Sequence, residues 1–99
     1  VAGSGPGYVF ELARAYVAAA EGIGFSHDQA RALVLGTLEG TIAMAIAEEG
    51  QTLEDLRNSV TSKGGTTAAG LDALNGDGAI SRKFEATLEA AYKRAVELR

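Results

Sequence analysis

The stretch Ser26–Glu48, SHDQARALVLGTLEGTIAMAIAE, decides the fold that we expect for this chain. Ser26 followed three residues later by Gln29 is the capping-box pattern of a helix start, and Gly50 provides a stop. Such a helix would contain about 22 residues and measure roughly 33 Å at 1.5 Å per residue. Between its second turn and its last residue only Glu39 is charged. A helix without a polar face has to be buried on all sides.

A chain of 99 residues has little material with which to surround so long an apolar helix. We therefore infer that a second chain covers part of it. A monomeric bundle with this helix at its centre is the less favoured alternative. The longest apolar run, Leu33 to Ala47, is interrupted by Glu39 and is shorter than the roughly 20 residues that a bilayer needs, so we expect no membrane span. Close contact with another helix is favoured by small residues three or four positions apart, namely Gly36, Gly40, Ala43 and Ala47.

Four more helices are predicted around this one. The spacing of apolar residues predicts a first helix from Tyr8 to Ile23, stopped by the glycines at its end. A short third helix, Leu53 to about Val60, follows the cap residue Thr52, and a short fourth runs from Thr67 to about Leu74. A turn precedes the last, long helix, which starts near Ala79. Because no segment alternates with period two, we predict an all-α domain of five helices over residues 1–99.

Composition excludes several classes of function. The net charge is −4 and the isoelectric point is near 4.9, whereas nucleic-acid binding needs a basic face. Cysteine is absent and His27 is the single histidine, which argues against a metal centre or a catalytic triad. His27 follows a cap residue, so we expect it on the surface at a helix start. The first residues lack the pattern of a signal peptide, and we expect a cytoplasmic protein.

The loop between the third and fourth predicted helices is the strongest candidate for a site. It reads VTSKGGTTAAGL over residues 60–71, with four hydroxyl side chains and the adjacent glycines Gly64 and Gly65. Glycines allow a sharp turn and close approach of a ligand, and the first N–H groups of a helix are unpaired. These features suit a small anion such as a carboxylate. The same residues also suit plain capping and a simple turn, and spacing alone leaves both interpretations open.

The glycines at the start of the chain do not form a dinucleotide-binding loop. Gly3, Gly5 and Gly7 are spaced two apart, no strand precedes them and no βαβ unit follows. We therefore expect a flexible approach to the first helix, and no nicotinamide cofactor bound by that route.

The loop resembles the signature of pyrroline-5-carboxylate reductase, V-[TS]-S-P-G-G-[TA]-T-x-x-[AG]-L. Ser4–Phe10, SGPGYVF, resembles the family's S-G-P-A-Y-x-F, and Glu89–Arg94, EAAYKR, resembles its E-A-A-x-x-R. Order and spacing match throughout, so the resemblance covers essentially the whole chain. Three positions depart from the pattern: Lys63 replaces a usual Pro, Gly7 replaces Ala, and Leu53 replaces a common Pro.

The resemblance implies a function for the enzyme and a part for this chain. The family reduces the cyclic imine 1-pyrroline-5-carboxylate to L-proline with NADPH or NADH. Its cofactor is held mainly by an N-terminal Rossmann domain, which residues 1–99 lack, and its C-terminal helical domains interleave as a homodimer. This chain is similar to the second part, a dimerisation and substrate-binding domain that we expect to be inactive alone. Further association of dimers is left open.

The resemblance also implies roles for residues of the loop. The N–H groups of Gly65, Thr66 and Thr67 would hold the substrate carboxylate. The hydroxyl of Thr67, the catalytic candidate, would bond the ring nitrogen and help to deliver a proton. Two alternatives stay open: a helical dimerisation module without catalysis, and a stand-alone binder of small carboxylates. Other implied contacts are two pocket-lining residues, Val60 and Ser62, and one residue near the nicotinamide edge, Ser4.

Overall fold

The computed structural model describes all residues from 1 to 99 and contains only helices as regular structure. The five helices confirm the predicted all-α fold. The chain divides into two compact units, Val1–Gln51 and Thr52–Arg99. The helices are α1 (Gly5–Gly22), α2 (His27–Ala47), α3 (Leu53–Ser59), α4 (Thr66–Asn75) and α5 (Ala79–Leu98).

Helix α1 begins three residues earlier than the predicted Tyr8. Gly5 donates its N–H to the carbonyl of Val1 over 2.7 Å, which adds a turn before the first apolar residue. Pro6 lies in this first turn, where its missing N–H costs no hydrogen bond. At the other end the backbone turns at Gly24, whose φ of +120° favours glycine. The predicted glycine stop is therefore confirmed.

Helix α2 starts with the predicted capping box. The N–H of Gln29 donates to Ser26 Oγ over 3.2 Å, and the N–H of Ser26 donates to Gln29 Oε1 over 3.0 Å. Two of the N–H groups at this helix end are thereby paired. His27 is exposed as predicted, and its Nδ1 lies 2.9 Å from Glu21 Oε1 near the end of α1.

The first unit packs α1 against α2 but leaves most of α2 uncovered. Only Ala30 and Val34 are buried, at 0% and 3% exposure, whereas Ile42 is 58% exposed and Ile46 73% exposed. The packing of α1 within this unit therefore does not by itself bury α2. We expected the apolar run to be too short for a bilayer. By length and composition alone, however, α2 is long and apolar enough to span a membrane, with a mean hydropathy of 1.4. A core helix of a soluble protein passes the same test.

The second unit joins α4 to α5 through the side chain of Asn75. Its Oδ1 accepts hydrogen bonds from the N–H groups of Ile80 and Ser81, over 3.0 and 3.2 Å. Asn75 thus pairs two otherwise free donors in the first turn of α5. Gly78 has a φ of +77° and closes the predicted turn.

Candidate functional site

The candidate loop is built on a β-turn over residues 62–65. The N–H of Gly65 donates to the carbonyl of Ser62 over 3.1 Å, and Gly64 has a φ of +72°. Gly64 is needed for this left-handed conformation. Gly65 is needed for space, because a Cβ there would collide with Ser62 Oγ and lie 3.3 Å from the Ser62 carbonyl oxygen. The turn therefore needs glycine at the two positions for different reasons, backbone conformation at Gly64 and space at Gly65.

The first turn of α4 presents three unpaired N–H groups. The first helical bond of α4 runs from the N–H of Ala69 to the carbonyl of Gly65, over 3.1 Å. No side chain caps the helix, so the N–H groups of Thr66, Thr67 and Ala68 have no partner. The N–H of Gly65, which we expected to hold the carboxylate, donates to the Ser62 carbonyl in the turn. The N–H of Ala68 is free as well, and counting the unpaired donors of a helix start would have found it.

Three of the four hydroxyl groups in the loop are also free. Thr61 Oγ1 donates over 2.6 Å to the carbonyl of Arg57, which also accepts the N–H of Val60 at the end of α3. The hydroxyl groups of Ser62, Thr66 and Thr67 make no hydrogen bond in the structure, and the N-cap of α4 is Gly65. Plain capping by serine or threonine, the simpler interpretation of this loop, is therefore not what the structure shows.

The predicted pocket residues lie together in this one loop. Val60 is the C-cap of α3 and is 60% exposed, and Ser62 opens the β-turn. Thr66 and Thr67 are the first two residues of α4, and both are exposed. Ser4 belongs to the first unit instead, where it is the N-cap of α1 without a side-chain hydrogen bond. The free N–H and hydroxyl groups of this loop therefore lie on the exposed surface of the second unit.

The first unit contains a separate groove of about 380 Å³ between α1 and α2. Apolar side chains such as Val17 and Leu35 line it, together with Arg14. The exposed Arg14 bonds Glu11 over 2.7 Å, and this hydrogen bond, followed by Coulomb attraction, lowers the pKa of Glu11. An exposed pair of this kind does not mark a catalytic group. The loop before α4 remains the site that the chemistry favours.

Comparison with known proteins identifies the family. The family described as pyrroline-5-carboxylate reductase dimerisation matches residues 1–98. This chain belongs to that family. It is 38% identical over 99 residues to pyrroline-5-carboxylate reductase 2 of Bacillus subtilis, covering 100% of this chain and 35% of the relative. It is 39% identical over 98 residues to pyrroline-5-carboxylate reductase of Staphylococcus haemolyticus, covering 99% and 35%.

A solved structure agrees with this membership. The crystal structure of Plasmodium falciparum pyrroline carboxylate reductase with NADP bound superposes with a TM-score of 0.73 at 30% identity, covering 96% of this chain and 34% of that one. The resemblance inferred from the sequence is confirmed. The chain spans about a third of the length of the family members that it matches, 35% in the curated relatives.

Proposed function

We propose that this chain is the dimerisation and substrate-binding part of an NAD(P)H-dependent reductase that converts 1-pyrroline-5-carboxylate to L-proline. The observation that carries the proposal is the start of α4, where the free N–H groups of Thr66, Thr67 and Ala68 lie beside free hydroxyl groups. Such a helix start favours a carboxylate. Family membership supports 1-pyrroline-5-carboxylate as that carboxylate.

The loop would orient the substrate. The carboxylate would accept hydrogen bonds from the three free N–H groups, with Val60 and Ser62 lining the pocket. Holding the imine in one orientation relative to the hydride donor can contribute several kcal/mol to the rate. The Thr67 hydroxyl would bond the ring nitrogen and relay a proton, since an unperturbed threonine is a poor general acid.

The cofactor would be bound mainly outside these 99 residues. NADPH or NADH would supply the hydride, and the relative from Plasmodium falciparum has NADP bound. The segment Gly3–Gly7 lacks the G-x-G-x-x-G spacing of a dinucleotide-binding loop and leads directly into α1. Ser4 at the start of that helix is proposed to lie near the nicotinamide edge.

A second copy of this chain is the proposed cover for α2. The family is named for dimerisation, and α2 leaves large apolar side chains exposed in the single chain. Exposed apolar surface of this extent marks an interaction site in a soluble protein. We propose an interleaved homodimer, in which each copy supplies the cover that the other lacks.

Thr67→Ala in the parent reductase is expected to lower kcat/KM by about 10- to 100-fold. Loss of a hydrogen bond to a group that is charged in the transition state costs roughly 1.5–3 kcal/mol, which corresponds to about a 10- to 100-fold loss of rate. Steady-state kinetics with 1-pyrroline-5-carboxylate measures the effect. Thr67→Ser is the matched control, because it keeps the hydroxyl and should retain most of the activity.

Unchanged kcat/KM in Thr67→Ala would contradict the role assigned to this hydroxyl. The two alternative functions give other results. A dimeric chain that binds L-proline but never supports turnover would be a small-carboxylate binder. A dimer without any binding of L-proline would be a purely structural module.

A further inference from the structure

We propose that Arg57 and Lys63 draw the anionic substrate to the start of α4 and strengthen its binding there. The inference rests on the proposed function and adds to it two residues outside the group of direct contacts. Both residues would act on the carboxylate of the substrate. Three features support this: the distribution of charge along the chain, the lack of acidic partners for either residue, and the position of both residues near the start of α4.

Charge is unevenly distributed around the loop. The whole chain carries a net charge of −4, but Arg57 and Lys63 are the only charged residues between Asp55 and Asp72. This segment contains the end of α3, the β-turn and the first turn of α4. An acidic protein thus keeps a local charge of +2 at the place where a carboxylate would bind.

Neither positive charge is neutralised by an acidic side chain. The ion pairs of the structure are formed by other residues, and Lys63 makes no side-chain bond. Arg57 donates its Nε and Nη2 to the neutral Oδ1 of Asn58, over 3.3 and 3.2 Å. Both charges therefore remain available to an anion.

Both residues border the start of α4. Lys63 is the second residue of the β-turn that ends at Gly65, and the ends of such a turn lie within about 7 Å of each other. Arg57 and Ala68 line the same cavity of about 440 Å³ in the second unit. Asp72 lines that cavity too, four residues beyond Ala68 or roughly 6 Å along the helix, so Arg57 also offsets its negative charge there.

The expected size of the effect follows from Coulomb's law. A unit charge roughly 8 Å from a carboxylate in water changes its dissociation constant by about two- to threefold. Two such charges should give about five- to tenfold. Salt at 1 M shortens the screening length to about 3 Å and should remove the effect. Hydrogen bonds from the helix start are less sensitive to salt, so the two contributions can be separated.

The test is an NMR titration of the 99-residue chain with tetrahydro-2-furoate, the ring-oxygen analogue of proline, which carries a carboxylate and no ammonium. The amide resonances of residues 66–68 report binding. At low ionic strength Lys63→Gln should raise Kd about two- to threefold, and the double variant with Arg57→Gln about five- to tenfold. Lys63→Arg should restore the affinity. Zwitterionic L-proline should respond less.

Lys83→Gln is the matched control for loss of one positive charge. Lys83 is exposed, has no ion pair, and lies on α5 just after the turn at the far end of α4. The Lys83→Gln substitution should leave the Kd for tetrahydro-2-furoate unchanged. An unchanged Kd in the double variant, with the amide shifts intact, would overturn this inference and leave the carboxylate site standing. Absence of any shift in the unaltered chain would overturn both.

Discussion

Ile42→Glu is expected to abolish self-association of this chain and most of its helical structure. Ile42 lies in the second half of α2 and is 58% exposed in the single chain. On a free surface such a change would alter the free energy of unfolding by about 0.5 kcal/mol or less. Under a second copy it would bury an unpaired carboxylate, which costs several kcal/mol. We expect the dimer to dissociate at least about 100-fold more readily.

Loss of helix should accompany dissociation because only two residues of the single chain are buried. Obligate dimers often have no stable folded monomer. Analytical ultracentrifugation and circular dichroism measure the two effects together. Ile42→Val, which keeps the position apolar, should remain dimeric and helical. A Glu variant with the same mass and the same melting temperature as the unaltered chain would show that this face of α2 is not covered.

Gly65→Ala is expected to give the second large effect, a loss of kcat/KM of about 100-fold in the parent reductase. Backbone conformation is not the obstacle, since Gly65 has a φ of −86°. The added Cβ would displace the Ser62 side chain and lie 3.3 Å from the Ser62 carbonyl oxygen, so the β-turn has to shift slightly. The free N–H groups of α4 would then lose their position relative to the substrate, and a small misplacement can cost about 10²-fold.

A double-mutant cycle separates crowding from other effects of Gly65→Ala. Removing the colliding oxygen with Ser62→Ala should recover part of the stability lost by Gly65→Ala, because contacting residues couple. Gly70→Ala is the control for a glycine substitution in the same helix, where a Cβ would meet open space. It should raise stability by about 0.5–1 kcal/mol and keep activity. Full activity in Gly65→Ala would contradict the turn geometry as the basis of the site.

Helix limits were predictable where they depend on local hydrogen bonds. The capping box of Ser26 and Gln29 and the cap residue Thr52 are recognised from residues three positions apart, and their three hydrogen bonds are present. The early start of α1 was signalled only by Pro6, which suits a first helical turn, whereas the spacing of apolar residues placed the start at Tyr8. Asn75 was predicted only as part of a turn, since its bonds to α5 need the three-dimensional path of that turn.

The position of the candidate loop in the sequence was predictable, but which of its backbone N–H groups are free was not. Family signature and glycine chemistry both led to the loop before α4. Which N–H groups stay free depends on the turn with left-handed Gly64, because the N–H of Gly65 donates to the Ser62 carbonyl in that turn. Ala68 was not named because the resemblance implies the N–H groups of Gly65, Thr66 and Thr67, whereas the free N–H groups of α4 lie one residue later. The cover of α2 was inferred from composition, but one chain cannot supply the geometry of a partner surface.

Sedimentation equilibrium of the 99-residue chain at micromolar concentration shows whether a second copy covers the apolar surface of α2. We expect a helical species with twice the 10.2 kDa mass of the chain, or an even multiple of that mass. A stable, fully helical monomer of 10.2 kDa under the same conditions would contradict this expectation.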